Sequence, residues 1–115
     1  MKFDATPYAE GIKRLNALER ESIRLRATEA RQEAARLAAA FKAADPDIRA
    51  VILFGSLAEG EPTRLDFDID LALDGGDSYR AMDLASDSPF EVDLVDLLRL
   101  PEGTRRRILE RGISL

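Results

Sequence analysis

The sequence predicts an α+β domain in which helices cover a small mixed β-sheet. Three observations support this fold class: a long helix-like stretch opens the chain, three short strand-like runs follow it, and two further helix-like stretches come after the second and third runs. A chain of 115 residues has room for one core. We therefore expect residues 1–46 to form an N-terminal helical segment that belongs to the same domain as the core, residues 47–115.

The first predicted element is a helix over about residues 8–44, where apolar side chains recur at helical spacing among Ala, Glu and Arg. Asp4 or Thr6 can cap its start, and Asp45 ends it because the residue before a proline avoids the α region. An unbroken helix of this length would extend about 55 Å, beyond the body of the domain. Either the helix breaks between Asn16 and Ser22, or its first half projects and packs on something else.

Three short runs predict strands. Ile48 to Phe54 is a continuous apolar run, typical of a buried strand. In residues 66–73, Phe, Ile and Leu alternate with Asp and Ala, which is the period of a strand with two different faces. Residues 90–95 form the third run. We expect the strands of Val51 and Ile69 to be adjacent in one mixed sheet with the strand of Asp93, and helices to cover one face.

Two helices complete the prediction, over residues 78–87 and 101–111. Pro101 stands near the start of the last helix, and Gly112 takes the position that follows its last turn. Ile113 and Leu115 are expected to fold back onto that turn.

The composition limits the chemistry. Cysteine and histidine are absent, so a metal ion would need oxygen ligands, which favour Mg²⁺, Mn²⁺ or Ca²⁺. The net charge of −5 disfavours direct binding of nucleic acid. No apolar run approaches the length of about 18 residues that spans a bilayer, and the first residues do not resemble a signal peptide. We expect a cytoplasmic protein that does not interact with membranes.

Carboxylates are concentrated in the predicted second strand. Side chains alternate along a strand, so Asp66, Asp68 and Asp70 are expected on one side, about 7 Å apart. Their mutual repulsion would be relieved by a divalent cation. The alternative is a solvent-facing strand or a charged edge that prevents aggregation. Asp93 is expected on a polar face that could meet Asp68 and Asp70, although a lone Asp there would be an ordinary surface residue.

A glycine and a serine directly follow the first strand. Gly55 allows backbone N–H groups and the Ser56 hydroxyl to approach a phosphate closely, although a Gly-Ser pair alone is more often a simple turn.

The ordered set of a buried strand, Gly-Ser, an Asp-x-Asp strand, a helix and a strand with a further Asp resembles the polymerase-β-like nucleotidyltransferases. It is most similar to their minimal nucleotidyltransferase branch, and the resemblance implies that fold with a long N-terminal helical segment added. The similarity covers residues 48–115 and includes three stretches, Leu53 to Gly60, Phe67 to Leu73, and Val92 to Leu97.

The resemblance implies roles for five residues. Gly55 and Ser56 would bind the triphosphate, Asp68 and Asp70 would ligate Mg²⁺ or Mn²⁺, and Asp93 would complete the metal site and help deprotonate an attacking hydroxyl. The implied reaction transfers AMP from ATP to a hydroxyl. Small members of the branch resemble antitoxins paired with HEPN-type toxins, which implies a Tyr of such a toxin as the acceptor.

The sequence departs from the family pattern near the Gly-Ser pair. Eleven residues separate Ser56 from Asp68, one more than usual, and Phe67 replaces a common Ser. Leu57 and Glu59 stand where Arg or Lys is frequent, and Arg64 is the candidate to compensate.

Two alternatives to a transferase that modifies a toxin stay open. One is a non-catalytic binding module that neutralises a toxin by contact through the long helix, and the other is a transferase for a small hydroxylated molecule. The long helix is also a candidate surface for a homo-oligomer.

Overall fold

The computed structural model describes residues 6–115, so Asp4, one of the two expected helix caps, lies outside the described residues. Three helices and four strands follow one another, with a 3₁₀ turn after β1 and another after β3. In chain order the elements are α1 (Thr6–Ala44), β1 (Ala50–Phe54), the turn Gly55–Leu57, β2 (Ile69–Asp74), α2 (Ser78–Ala85), β3 (Val92–Asp96), the turn Leu97–Arg99, α3 (Glu102–Arg111) and β4 (Ile113–Ser114).

The four strands form one mixed sheet in the order β3-β2-β1-β4. β1 runs antiparallel to β2 and β4, whereas β2 and β3 are parallel. The register places Phe54 opposite Asp70 and Asp70 opposite Asp93. The predicted α+β class and the adjacency of the three expected strands are confirmed.

The second strand is shorter than predicted. β2 begins at Ile69, so Asp66 and Asp68 lie in the segment before it. The prediction that both share a strand with Asp70 was wrong. The antiparallel ladder ends where Phe54 pairs with Asp70, since β1 gives way there to the turn at Gly55. Residues before Ile69 therefore have no β1 partner that would extend the strand.

α1 is a single helix of 39 residues, and its first half projects from the body. Its second half packs on the sheet through buried residues at helical spacing: Ile23, Ala27, Ala30, Ala34, Leu37, Ala38 and Phe41. Before Ile23 every residue whose burial is described is exposed except for the half-buried Gly11, and Leu15 and Leu18 are 67% and 65% exposed. The molecule is 72 Å long, and its radius of gyration of 18.6 Å exceeds the value of about 13 Å for a compact chain of this length.

Helices cover both faces of the sheet, which corrects the prediction that they cover one. Ala81 and Ala85 of α2 join the core formed by α1 and one face of the sheet. On the opposite face, Ile108 of α3 packs with Ile52 and Ala72. Apolar residues on both sides of β1 and β2 thus require a cover on each side. Among the helices of residues 6–115, none has the length and apolarity needed to cross a bilayer.

The last residues extend the sheet. The prediction that they fold back onto the last turn of α3 was wrong. Ile113 pairs with Leu53 of β1, and the backbone N–H of Leu115 donates to the Val51 carbonyl at 2.8 Å. Gly112 allows this close passage, because a Cβ there would lie 2.5 Å from the Ile108 carbonyl oxygen and 2.5 Å from Cγ2 of Ile52.

We expect the body to fold without the projecting half of α1. Deleting residues 1–22 removes no residue that is described as buried, so the free energy of unfolding should change by less than about 1 kcal/mol. Thermal unfolding of the full-length and shortened chains, followed by circular dichroism, measures this difference. A shortened chain that is unfolded at 25 °C would show that residues 1–22 support the core.

Candidate active site

The turn after β1 brings a glycine against a carboxylate. Gly55 has a positive φ of 76°, which side chains of L-residues rarely adopt, and the N–H groups of Ala58 and Glu59 both donate to its carbonyl at 3.1 Å. A Cβ at this position would overlap Oδ2 of Asp70 and lie 3.2 Å from its Cγ. Only glycine therefore accommodates both this backbone conformation and the neighbouring carboxylate.

Asp70 lies at the centre of the acidic residues. It pairs directly with Asp93 on the parallel neighbour strand, while Asp68 stands two residues earlier, just before β2. Burial, followed by the negative charges of Asp93 and Asp68, raises the pKa of Asp70 to about 6. The structure therefore brings the three predicted carboxylates into one electrostatically coupled group beside Gly55.

The carboxylates of this group suit a hard divalent cation in chemical type, although they are not arranged around one point. In residues 6–115 no three acidic side chains are arranged to hold a metal ion as they stand, and Asp68 and Asp93 are exposed. The donors are all carboxylate oxygens, which Mg²⁺ and Mn²⁺ prefer. The residues present therefore fit a divalent cation by donor type.

Ser56 is exposed and lines a cavity of about 250 Å³ with Pro62, Thr63, Arg64, Asp66 and Phe67. Arg64, the expected compensating cation, forms an ion pair with Asp66 at 3.0 Å. Arg64 therefore shares a cavity with Ser56, but part of its charge is already balanced by a carboxylate.

Arg31 of α1, which was not singled out in the sequence, fixes the segment that follows Ser56. Its Nε donates to the Leu57 carbonyl at 3.0 Å and its Nη2 donates to the Gly60 carbonyl at 2.7 Å. Its Nη1 also forms an ion pair with Glu61 at 3.2 Å. One guanidinium thus ties the loop to the helix, and no local sequence signal distinguishes Arg31 from the other arginines of α1.

A second group missed in the sequence comes from α3. Arg111 forms an ion pair with Glu59 at 3.3 Å, which balances a carboxylate that would otherwise repel a phosphate at this turn. Arg107 and Arg111 line a cavity of about 260 Å³ with Gly55 and Phe54. Basic side chains therefore reach the Gly-Ser turn from α3 and not from the positions directly after it.

Comparisons with known proteins agree with this arrangement. The profile of the family "Polymerase beta, Nucleotidyltransferase" matches residues 36–115, which include the whole sheet, α2 and α3. No curated protein matches the chain. A crystal structure of a mutant of the toxin-antitoxin MntA-HpeT is similar with a TM-score of 0.54 and 23% identity, over 72% of this chain and 69% of that chain.

A second mutant structure of MntA-HpeT gives a TM-score of 0.49 and 28% identity, over 61% of this chain and 60% of that chain. The first likeness supports the fold, and the family match, which covers well over half of the chain, establishes the class of domain. The chain is therefore a nucleotidyltransferase domain that belongs to the polymerase β nucleotidyltransferase family.

Proposed function

We propose that the protein transfers AMP from ATP to a hydroxyl group in a reaction that depends on Mg²⁺ or Mn²⁺. Members of its family use a nucleoside triphosphate and a divalent metal ion. The observation that carries the proposal is the register that sets Asp70 beside Asp93, with the glycine of the Gly-Ser turn against the Asp70 carboxylate.

Each site residue has a role in this proposal. Asp68, Asp70 and Asp93 hold the cation, which when bound neutralises phosphate charge and polarises the reacting phosphoryl group. Backbone N–H groups at Gly55 and Ser56, with the Ser56 hydroxyl, donate to phosphate oxygens. Asp93, the more exposed neighbour of Asp70, accepts the proton of the attacking hydroxyl.

The transfer is an in-line displacement at the α-phosphorus. A bond forms from the acceptor oxygen to the α-phosphorus as the bond from that phosphorus to the bridging oxygen breaks, and pyrophosphate leaves. Little covalent chemistry is required of the protein, so positioning and charge stabilisation account for most of the catalysis.

We further propose that the acceptor is a Tyr of a HEPN-type toxin and that the protein acts as its antitoxin. Support comes from the structure of similar fold that is described as a toxin-antitoxin, MntA-HpeT. The open site around Ser56 is also accessible to a side chain presented by another protein, since Ser56, Asp68 and Asp93 are all exposed.

The test is incubation with ATP labelled at the α-phosphate, Mg²⁺ and a HEPN-type protein that forms a complex with this chain. Wild type should label a Tyr of that protein. Ser56→Ala should slow labelling by about ten- to 100-fold, because it loses one hydrogen bond to a charged group. Mass spectrometry locates the modified residue. No label on the partner under conditions where the two proteins form a complex would exclude it as the acceptor.

The second candidate is an antitoxin that acts by contact alone. The observation that favours it is the exposed apolar surface of the projecting part of α1, including Leu15 and Leu18, which lies outside the region matched by the family. Protection of toxin-expressing cells separates the two proposals. Equal protection by wild type and by Asp70→Ala would make transfer dispensable, and loss of the complex on deletion of residues 1–22 would assign binding to α1.

A further inference from the structure

The side of α3 that faces the Gly-Ser turn carries two arginines. Arg107 and Arg111 are four residues apart and therefore lie on the same side of the helix, with Thr104 one turn earlier. All three line the cavity of about 260 Å³ that also includes Gly55 and Phe54. The cavity thus has a glycine backbone on one wall and basic side chains on the other.

The two arginines differ in what they contact. Arg111 is paired with Glu59 at 3.3 Å, whereas the side chain of Arg107 makes neither a hydrogen bond nor an ion pair within residues 6–115. The adjacent Arg106 is paired with Glu102 at 2.9 Å. Arg107 is therefore the arginine of this cavity whose guanidinium is available to an added anion.

The cavity opens on the same face of the sheet as the carboxylates. Phe54, which lines the cavity, is the cross-strand partner of Asp70, and cross-strand partners project to one face. Asp93 on β3 is in turn the partner of Asp70, so it projects to the same face. Across this face the order is Asp93, Asp70, the Gly55 turn and then Arg107. An anionic chain that starts at the carboxylates and crosses the turn would end at α3.

We propose that Arg107 binds the outer phosphates of the nucleoside triphosphate, the part that leaves as pyrophosphate. The inference rests on the proposed function. A guanidinium suits this role because its planar donors match two phosphate oxygens at once. Arg111 contributes indirectly by holding Glu59, whose free carboxylate would repel the same phosphates. Arg64 lies on the Ser56 side of the turn and is paired with Asp66, so it does not replace Arg107.

Calorimetric titration with ATP, AMP and inorganic tripolyphosphate, each in the presence of Mg²⁺, tests the proposal. Arg107→Gln should weaken binding of ATP and of tripolyphosphate by about tenfold or more and leave AMP binding unchanged, since AMP lacks the outer phosphates. Arg107→Lys should recover part of the loss. Arg106→Gln is the matched control, because it removes an equal charge from the neighbouring position and should bind all three ligands like wild type.

Four outcomes would overturn the assignment. Unchanged ATP affinity in Arg107→Gln would remove Arg107 from the site while leaving the proposed transfer intact. Equal weakening of ATP and AMP, or an equal loss in Arg106→Gln, would indicate a general effect of the substitution or of charge. If the wild type bound neither ATP nor tripolyphosphate, both the assignment of Arg107 and the proposed function would be rejected.

Discussion

Replacing Asp70 with asparagine is expected to abolish AMP transfer and at the same time to stabilise the protein in the absence of metal and nucleotide. If Asp70 ligates the cation as proposed, its loss removes several kcal/mol of transition-state stabilisation, so transfer should fall on the order of 10³-fold or more. The measurement is the initial rate of labelling with α-labelled ATP. Asp74→Asn is the matched control, because Asp74 lies at the other end of β2, where it is paired with Arg49 at 2.7 Å.

The gain in stability follows from the raised pKa. With a folded-state pKa of about 6 against an ordinary value of 3.8, the folded protein binds the Asp70 proton more tightly than the unfolded chain does. Ionisation of Asp70 therefore destabilises the fold as pH rises from about 4 to 6, and the penalty is complete above pH 6. Because the Asp70 side chain is only partly buried, solvent screening reduces the penalty to about 1 kcal/mol.

Chemical denaturation of Asp70→Asn and wild type in the presence of a chelator measures this difference. We expect the variant to be more stable at pH 7.5 and the two proteins to converge near pH 4, where Asp70 is protonated in the folded wild type. A variant that is less stable than wild type at pH 7.5 would contradict the crowding of negative charge at this position.

Replacing Gly55 with alanine should damage both stability and transfer. A residue other than glycine at φ 76° is strained by about 1–2 kcal/mol, and the added Cβ would overlap the Asp70 carboxylate. Either the turn or the carboxylate must move, and a displacement of about 1 Å in an active site can slow a reaction about 100-fold. Transfer rates and unfolding free energies of the purified variant measure the two effects.

Gly103→Ala provides the control for Gly55→Ala. Gly103 lies in the first turn of α3, and a Cβ there would meet no atom within 4 Å. Alanine favours helix, so this change should stabilise the protein by up to about 1 kcal/mol and leave transfer intact. If Gly55→Ala transferred AMP at the wild-type rate, the close packing of Gly55 against Asp70 would have no role in catalysis.

The sequence predicted the central strands because their patterns are local. A continuous apolar run marked β1, and alternation marked β2 and placed Asp70 on its polar positions. The start of β2 was not predictable in this way, since it depends on where β1 ends at Phe54. β4 has two residues, too few to show a period, and its pairing to Leu53 is set by the path of the chain after α3.

The carboxylates of the candidate site were predictable, and the basic residues around it were not. Asp70 and Asp93 are marked by their unusual occurrence at strand positions, where Asp is disfavoured, and Asp68 stands just before the same strand as Asp70. Arg31 reaches Leu57 across 26 positions of sequence, and Arg111 reaches Glu59 across 52. Each is one of many arginines on a charged helix, so only the packing of helices against the turn identifies them.

The alanines on the sheet-facing side of α1 determine how closely that helix packs on the sheet. Ala27, Ala30, Ala34 and Ala38 are buried, and an alanine side chain has no rotamers to lose on burial, so this contact forms without a side-chain entropy penalty. Short side chains also allow the helix backbone to lie close to the strands. Arg31 therefore extends from a helix that is packed on the sheet, and its hydrogen bonds to the Leu57 and Gly60 carbonyls limit the positions that the loop can take.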